Sequence, residues 1–264
     1  MATKVKRQKF DRCNICLQTK ELSWDHVPPK SGIKLSSVEI SNIHKILTGH
    51  AESQKELSQN GVKYRTICKD CNSKLGSYYD STLNSLNSTV ALYLKSQLQL
   101  FPFTYVRTKP VRLIKALLGH LLSAKLTIDN SVFDTKVREY LFDDNAVLPD
   151  DIHILYWIYP FDCTIIQRDF YMPAVRGDTS SFISCHVLKY FPLAFLISDK
   201  EDYHGLSSIT KYRSLSTDDE IELRLNLLRV ETLDWPERVD GTNFVAATEE
   251  TLNGILATPR KASP

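Results

Sequence analysis

The sequence contains no apolar run long enough to cross a bilayer. Its longest apolar stretches, residues 152–161 and 190–198, fall well short of the roughly 18–20 residues that a spanning helix needs. The basic first ten residues are not followed by an apolar segment, so we do not expect a secretory signal. Internal repeats and low-complexity tracts are also absent. We therefore expect a folded cytoplasmic protein without a membrane segment.

Composition predicts packed cores. Hydrophobic residues make up 42% of the chain and include 12 Tyr, 11 Phe and 3 Trp, which supplies enough apolar surface to exclude extensive disorder. At 264 residues the chain approaches the size at which a single core usually divides. We predict two units, residues 1–85 and residues 86–264.

The net charge of +2 hides an asymmetry between these two units. Residues 1–85 hold 14 Lys and Arg against 8 Asp and Glu, a balance of +6, and residues 86–264 have a balance of −4. A basic first unit is typical of a module that binds a polyanion. An excess of this size also occurs on ordinary solvated surfaces, so charge alone does not decide between the two.

Four of the six cysteines form two Cys-x-x-Cys pairs. The pairs are Cys13 with Cys16 and Cys68 with Cys71. A gap of two residues lets both sulfurs of a pair face one ion, and four thiolates suit tetrahedral Zn²⁺. We predict a structural zinc site, closed to substrate, with a redox pair or two coincidental pairs as the alternatives. The other two cysteines lie in β-rich segments and are expected to be buried apolar side chains.

Local patterns predict two strands and a short helix in the first unit. Residues 22–26 form a strand that ends at Pro28 and Pro29, because two prolines remove two backbone donors. Residues 62–67 alternate as a second strand, and residues 69–75 form a helix ended by Gly76. The polar segment 31–62 is predicted to be an insertion with a possible helix over 38–47. A helix over 82–100, capped by Asp80 or Ser81, is predicted to link the two units.

The second unit is predicted to combine helices with a mainly antiparallel sheet. Residues 110–126 form a leucine-rich helix in which Gly119 and Ser123 permit close packing. Arg112, Lys115 and His120 on that helix are expected to be solvated, with an anionic ligand as the alternative. The predicted strands are 152–159, 163–171, 182–188, 193–198 and 221–230. The predicted fold class is α+β, a mixed α/β C-terminal domain following the N-terminal module.

A second motif lies between the cysteine pairs. The sequence reads Asp25-His-Val-Pro-Pro-Lys30 there, and Asn72 directly follows the last cysteine of the second pair. With the two pairs in this order, the first third of the chain resembles the HNH nuclease superfamily. The resemblance implies a zinc-stapled ββα-metal module over residues 1–85. The superfamily's middle Asn has no counterpart, because its position falls near Lys63.

The resemblance also implies roles for individual residues. His26 takes the position of the general base, and Asp25 and Asn72 take those of ligands to a catalytic Mg²⁺ or Mn²⁺. Phosphodiester hydrolysis needs an activated water and a charge that neutralises the phosphate and the leaving oxygen. Four basic residues are candidates for binding flanking phosphates, with a solvated surface charge as the alternative for each: Lys30, Arg65, Lys69 and Lys74.

Together these features predict a metal-dependent HNH endonuclease that hydrolyses phosphodiester bonds in DNA. Double-stranded DNA is the expected substrate, RNA is the alternative, and weak sequence specificity follows from the lack of residues suited to reading base edges. Residues 86–264 are expected to sense a signal or activating partner, to support a homodimer, or to bind substrate by extending the DNA groove, and a nuclease joined to a sensing domain fits a bacterial defence effector. The alternative is a non-catalytic zinc module that binds nucleic acid or a protein.

Overall fold

Antiparallel sheets make up most of the molecule. The computed structural model describes residues 7–30, 37–43, 55–96, 101–128, 131–175, 178–227, 232–233, 235 and 254–260. The strands in these ranges form a three-stranded, an eight-stranded and a two-stranded sheet. Each strand pairing within them is antiparallel. The prediction of a mixed α/β fold with a mainly antiparallel sheet is confirmed.

The three-stranded sheet contains both strands predicted for the first unit. Its order is β1 (Phe10–Arg12), β2 (Thr19–His26) and β5 (Lys63–Cys68). The pairing of β2 with β5 shifts register between Ser23 and Asp25. Strand β2 ends at His26, directly before Val27 and the two prolines, as predicted.

The helix after β5 does not stop at Gly76. Helix α1 (Lys69–Leu75) runs through a π-helical turn (Gly76–Asp80) into α2 (Ser81–Lys95). A glycine ends a helix when it adopts a left-handed conformation, whereas Gly76 has a right-handed helical φ of −59°. Asp80 is helical too and makes no side-chain cap, so the predicted stop and cap are both wrong. The predicted helix over 82–100 is present as far as Lys95, and residues 97–100 lie outside the described ranges.

The eight-stranded sheet corrects the prediction for residues 31–62. Segment 38–42 is β3 (Val38–Asn42), an inner strand of this sheet and not a helix. It pairs with β4 (Glu56–Ser58) on one side and β13 (Ile255–Pro259) on the other. The prediction failed because the partner β13 lies more than 200 residues away in the chain. The rest of the predicted helix, residues 44–47, lies outside the described ranges.

The other five strands of this sheet come from the second half of the chain. They are β7 (His153–Ile158), β8 (Thr164–Val175), β9 (Asp178–Tyr190), β10 (Leu193–Ser198) and β11 (Ser207–Ser208). The sheet order is β11-β7-β10-β9-β8-β13-β3-β4. Both faces are covered, because alternate residues of β7 belong to two different cores: Ile154 and Tyr156 to the larger, Leu155 and Trp157 to the smaller.

The larger core packs around a buried helix. Helix α3 (Pro110–Ser123) has thirteen buried residues, and α4 (Val132–Leu141) packs beside it. Lys115 and His120 on α3 are 0% and 1% exposed, so the expectation that they are solvated is wrong. The two-stranded sheet pairs β6 (Phe103–Thr108) with β12 (Ile221–Asn226), and a 3-10 turn covers Thr210–Tyr212. In the described part of the chain, no helix is both long and apolar enough to traverse a bilayer.

Residues before and after position 85 share contacts in the larger core. The buried Asn14 amide donates hydrogen bonds to the backbone carbonyls of Leu122 and Lys125 at the end of α3. The Thr66 hydroxyl donates to the carbonyl of Ser123 at 2.5 Å. The division of the chain at residue 85 stays a prediction, and these bonds tie the first part to α3.

Candidate functional site

The four cysteines of the two pairs form one cluster. The sulfur atoms of Cys13, Cys16, Cys68 and Cys71 all lie within 4.8 Å of one another. The distance from Cys16 Sγ to Cys68 Sγ is 3.9 Å, close to the roughly 3.8 Å expected between thiolates that bind Zn²⁺ tetrahedrally at about 2.3 Å. The cluster can therefore hold a metal ion such as zinc.

The surroundings of the cluster favour thiolate at one of these sulfurs. The Cys13 sulfur accepts hydrogen bonds from the backbone N–H groups of Ile15 and Cys68. A hydrogen bond shared with Cys71, together with these N–H groups, lowers the pKa of Cys13 to about 5 against the opposing effect of burial. The same shared hydrogen bond and burial raise the pKa of Cys71. The sulfur chemistry thus fits a soft or borderline cation, which requires deprotonated ligands.

Asp25 and His26 line one surface depression at the end of β2. The depression has a volume of about 530 Å³, and its lining includes Asp25, His26, Lys30, Asn72 and Asp80. Side chains of adjacent residues point to opposite faces of a regular strand. The register shift after Ser23 and the end of the strand at His26 interrupt that regularity, so both side chains reach the same depression.

Asn72 is fixed against β2 by both hydrogens of its amide group. Its Nδ2 donates to the Ser23 hydroxyl at 3.1 Å and to the Trp24 carbonyl at 3.0 Å. Because both N–H bonds are used, the side-chain carbonyl oxygen is the atom left for a ligand. Helix α1 begins directly after Cys68 and carries Cys71, so the cluster determines where Asn72 meets the strand.

His120 joins Asp25 to Asp80. Its Nδ1 lies 3.0 Å from Asp25 Oδ2, and its Nε2 lies 2.9 Å from Asp80 Oδ1. Carboxylates accept hydrogen bonds, so an imidazolium that donates from both nitrogens satisfies both contacts. Burial opposes that charge, yet the two carboxylates and their hydrogen bonds raise the pKa of His120 to about 10.

This arrangement leaves oxygen atoms for a hard cation. The contacts with His120 use Oδ2 of Asp25 and Oδ1 of Asp80, and the described residues form no hydrogen bond with the other oxygen of either carboxylate. With the Asn72 carbonyl, three oxygens are available around the depression. Carboxylate and amide oxygens are ligands that Mg²⁺ and Mn²⁺ accept.

The His26 imidazole is suited to accept a proton near neutral pH. Partial burial lowers its pKa, and Lys30 and Lys63 lower it further, while Asp25 acts in the opposite direction. An imidazole whose pKa lies below its ordinary value near 6.5 is mostly neutral at pH 7. It can then act as a general base.

The four candidate phosphate ligands do not lie together. Lys30 lines the depression. Arg65 lines a neighbouring cavity and donates to the Arg7 carbonyl. Lys69 is exposed at the start of α1, and Lys74 lies over the Phe142 ring. Of these four, Lys30 is the one placed beside Asp25 and His26.

Two members of the site were not identified from the sequence. Asp80 was interpreted as a helix cap, and His120 as a solvated residue of a leucine-rich helix. A Cβ added at Gly119 would clash with the side chain of Leu75, so the glycine permits the close approach of α3 to α1 that brings His120 to the site. In the sequence, a histidine directly after a glycine on a leucine-rich helix was the feature that could have indicated His120 as a site residue.

Comparison with known proteins does not assign the chain to a family. No protein-family model matches it, and neither a curated protein nor a solved structure does. The candidate site therefore stands on its own geometry: a cysteine cluster, a strand that ends at Asp25 and His26, and a helix that presents Asn72 to them.

Proposed function

We propose that this protein is a metal-dependent endonuclease of the HNH type that hydrolyses phosphodiester bonds in DNA. One observation carries the proposal: Asp25, His26, Asn72 and Asp80 line the same depression. The helix that supplies Asn72 also carries Cys71 of the second cysteine pair. A zinc ion at the cysteines would be structural, because four sulfur ligands complete a tetrahedron and leave no position for substrate.

The site residues divide the chemistry between them. His26 would take a proton from the attacking water, since its imidazole is mostly neutral at pH 7. Asp25, Asn72 and Asp80 would hold a divalent cation through their remaining oxygens. When bound, that cation would stabilise the negative charge that develops on the phosphate and the leaving oxygen. Lys30, at the rim of the same depression, would contact the phosphate backbone.

His120 would act on this site through its two carboxylate partners. It contacts Asp25 and Asp80 but is 1% exposed, so we assign it a positioning role. Holding one oxygen of each carboxylate keeps the other two in fixed positions before a cation arrives. Orientation of metal ligands by buried hydrogen-bond partners commonly changes metal affinity by about 10–100-fold.

Plasmid cleavage tests the proposal. Supercoiled plasmid is incubated with the full chain and Mg²⁺ or Mn²⁺, and parallel reactions contain EDTA. We expect cleavage that requires the cation, and His26→Ala should lower the rate by about 10²–10⁴-fold while the zinc content is unchanged. Nicked circles indicate cutting of one strand, and linear product indicates cutting of both, which a homodimer would explain.

A substitution at a second histidine tests whether the loss of cleavage is specific to His26. His204 is exposed and does not line the depression, so His204→Ala should cleave like the unaltered protein. Equal loss in both variants, or cleavage that survives His26→Ala, would reject His26 as the base. Plasmid binding without cleavage in either cation would instead support a non-catalytic zinc module and contradict the proposal.

A further inference from the structure

A second cavity lies next to the depression, and Trp24 contributes to the walls of both. This cavity has a volume of about 420 Å³, and Trp24 lines both spaces. Its apolar walls come from β3, β4, β5, β13 and the turns between them, with Ile40, Leu57, Val62 and Ile255 among them. A ligand at Asp25 and His26 therefore lies next to an apolar space with an aromatic wall.

Trp24 is presented to solvent although its backbone is tied to the candidate site. The residue is 48% exposed, and its carbonyl accepts the hydrogen bond from Asn72 Nδ2. It also lies where β2 shifts register against β5. A single exposed aromatic residue is ordinary, but the backbone position of this one is set by the candidate metal ligand.

The cavity is also basic. Lys63 Nζ and Arg65 Cζ lie 5.7 and 5.3 Å from the centroid of the Trp24 ring. Arg7 also lines the cavity but is ion-paired with Asp11, and Glu56 supplies the one carboxylate among the lining residues. In the ranges that the structure describes, no carboxylate pairs with Lys63, and the buried Arg65 Nε finds no acceptor. Lys63 is also paired with His26 in the register of β2 against β5. A positively charged residue of the cavity therefore lies directly opposite the candidate base.

We propose that this cavity binds an unpaired nucleobase of the DNA strand whose phosphate lies at Asp25 and His26. This inference rests on the proposed function and narrows its substrate to a single strand or an extruded nucleotide. An aromatic face with adjacent cations suits a base joined to phosphates, because stacking accepts any base and the cations attract the backbone. A base paired inside a duplex cannot enter a side cavity, so it must leave the stack.

Binding of single-stranded DNA tests the inference without relying on cleavage. A fluorescein-labelled 12-nucleotide strand is titrated with the full chain carrying His26→Ala, in Mg²⁺, and anisotropy gives the dissociation constant. Trp24→Leu should weaken binding between about 5-fold and about 150-fold, the range that stacking of one base supplies. Phe10→Leu is the control, because Phe10 is 63% exposed but lines neither space.

A scan with single abasic sites identifies the contact. At one position of the strand, removal of the base should weaken binding by the protein with Trp24, and the same removal should have no further effect on Trp24→Leu. Such non-additivity is expected when both changes remove one contact. Lys63→Gln should weaken binding of every strand, and Lys20→Gln, at an exposed position on β2, is its control.

The outcomes separate this inference from the proposed nuclease. Cleavage that depends on His26, combined with binding that is unaffected by Trp24→Leu, overturns the base cavity and leaves the nuclease standing. A position-specific abasic effect that vanishes in Trp24→Leu supports the cavity, whether or not the protein cuts. Failure to bind single-stranded DNA, or an abasic effect that persists in Trp24→Leu, rejects it.

Discussion

Nδ1 of His120 lies 3.0 Å from Oδ2 of Asp25. A side chain of a buried helix thus holds the carboxylate at the end of β2, across 95 positions of sequence. The other ring nitrogen contacts Asp80. Without this imidazolium, two carboxylates would face each other in a buried setting, where like charges raise the free energy of the folded state. The candidate site and the stability of the fold consequently depend on the same residue.

His120→Ala should therefore destabilise the protein more than loss of a surface ion pair does. The substitution leaves Asp25 and Asp80 without their cation, and removing one partner of a buried pair typically costs about 3–5 kcal/mol. Urea unfolding at pH 7 measures the change. Lys20→Ala, which breaks the exposed ion pair with Asp70, is the control and should have little effect. Equal stability of the two variants would show that His120 does not hold the carboxylates.

The first-unit elements could be predicted because their signals are local. Two prolines end a strand wherever they occur, and a two-residue gap between cysteines brings both sulfurs to one side. The predictions of a strand ending at His26 and of clustered cysteines are confirmed. The placement of Asp25, His26 and Asn72 around one depression follows from those two features, since α1 starts at the cluster and crosses the strand end.

Contacts between distant segments could not be predicted from the sequence. His120 lies among leucines, and a single histidine on such a helix does not reveal which carboxylates face it. Segment 38–42 has a strand-like alternation of Val38 and Ile40, but its partner β13 is near the other end of the chain. The helical φ of Gly76 likewise depends on packing around Leu75 and Tyr79, both buried.

Metal analysis tests the cysteine cluster. The purified chain should contain about one Zn²⁺, and Cys16→Ser should lose it, because a hydroxyl is a poor replacement for a thiolate. Binding of zinc at such a site contributes on the order of 10 kcal/mol to folding. The first part of the chain should therefore become sensitive to protease in the variant.

Cys163→Ser serves as the matched control for the metal analysis. Cys163 lies outside the cluster, where its sulfur is 3.1 Å from the Tyr159 hydroxyl, so this variant should keep its zinc. An unchanged zinc content in Cys16→Ser, or equal loss in both variants, would contradict a site formed by the four clustered sulfurs.

The buried His186 predicts a loss of stability on the acid side of neutrality. Burial lowers its pKa to about 4, with Arg168 and Lys125 contributing and Asp169 opposing. The unfolded chain protonates this histidine near its ordinary value of 6.5, so between these two values the unfolded state binds more protons. Stability then falls as the pH falls through that window.

His186→Asn isolates this contribution to the free energy of unfolding. An asparagine oxygen can replace the His186 Nδ1 acceptor for the Asp169 N–H but does not titrate. The free energy of unfolding of the unaltered protein, minus that of the variant, should fall by about 1.5 kcal/mol from pH 6.5 to pH 5. This difference should be constant above pH 7.5. Urea unfolding at these pH values measures it. Parallel pH profiles for the two proteins would show that His186 is not held neutral in the fold.

Asp80 offers the sharpest test of the proposed cation site, because it is the candidate ligand that the HNH resemblance does not supply. Asp80→Asn keeps an oxygen that can accept from His120 Nε2, yet removes one negative charge from the depression. If Asp80 is a ligand, Mn²⁺ affinity should fall by at least about tenfold, since even changes outside the ligand shell cost that much.

Calorimetric titration of Mn²⁺ into His26→Ala protein, with and without Asp80→Asn, measures the affinity independently of cleavage. Asp70→Asn, an exposed acid on α1 that lines neither space, is the control. Unchanged affinity in Asp80→Asn would leave Asp25 and Asn72 as the ligands, and would make the contact between Asp80 and His120 purely a means of orienting the imidazolium.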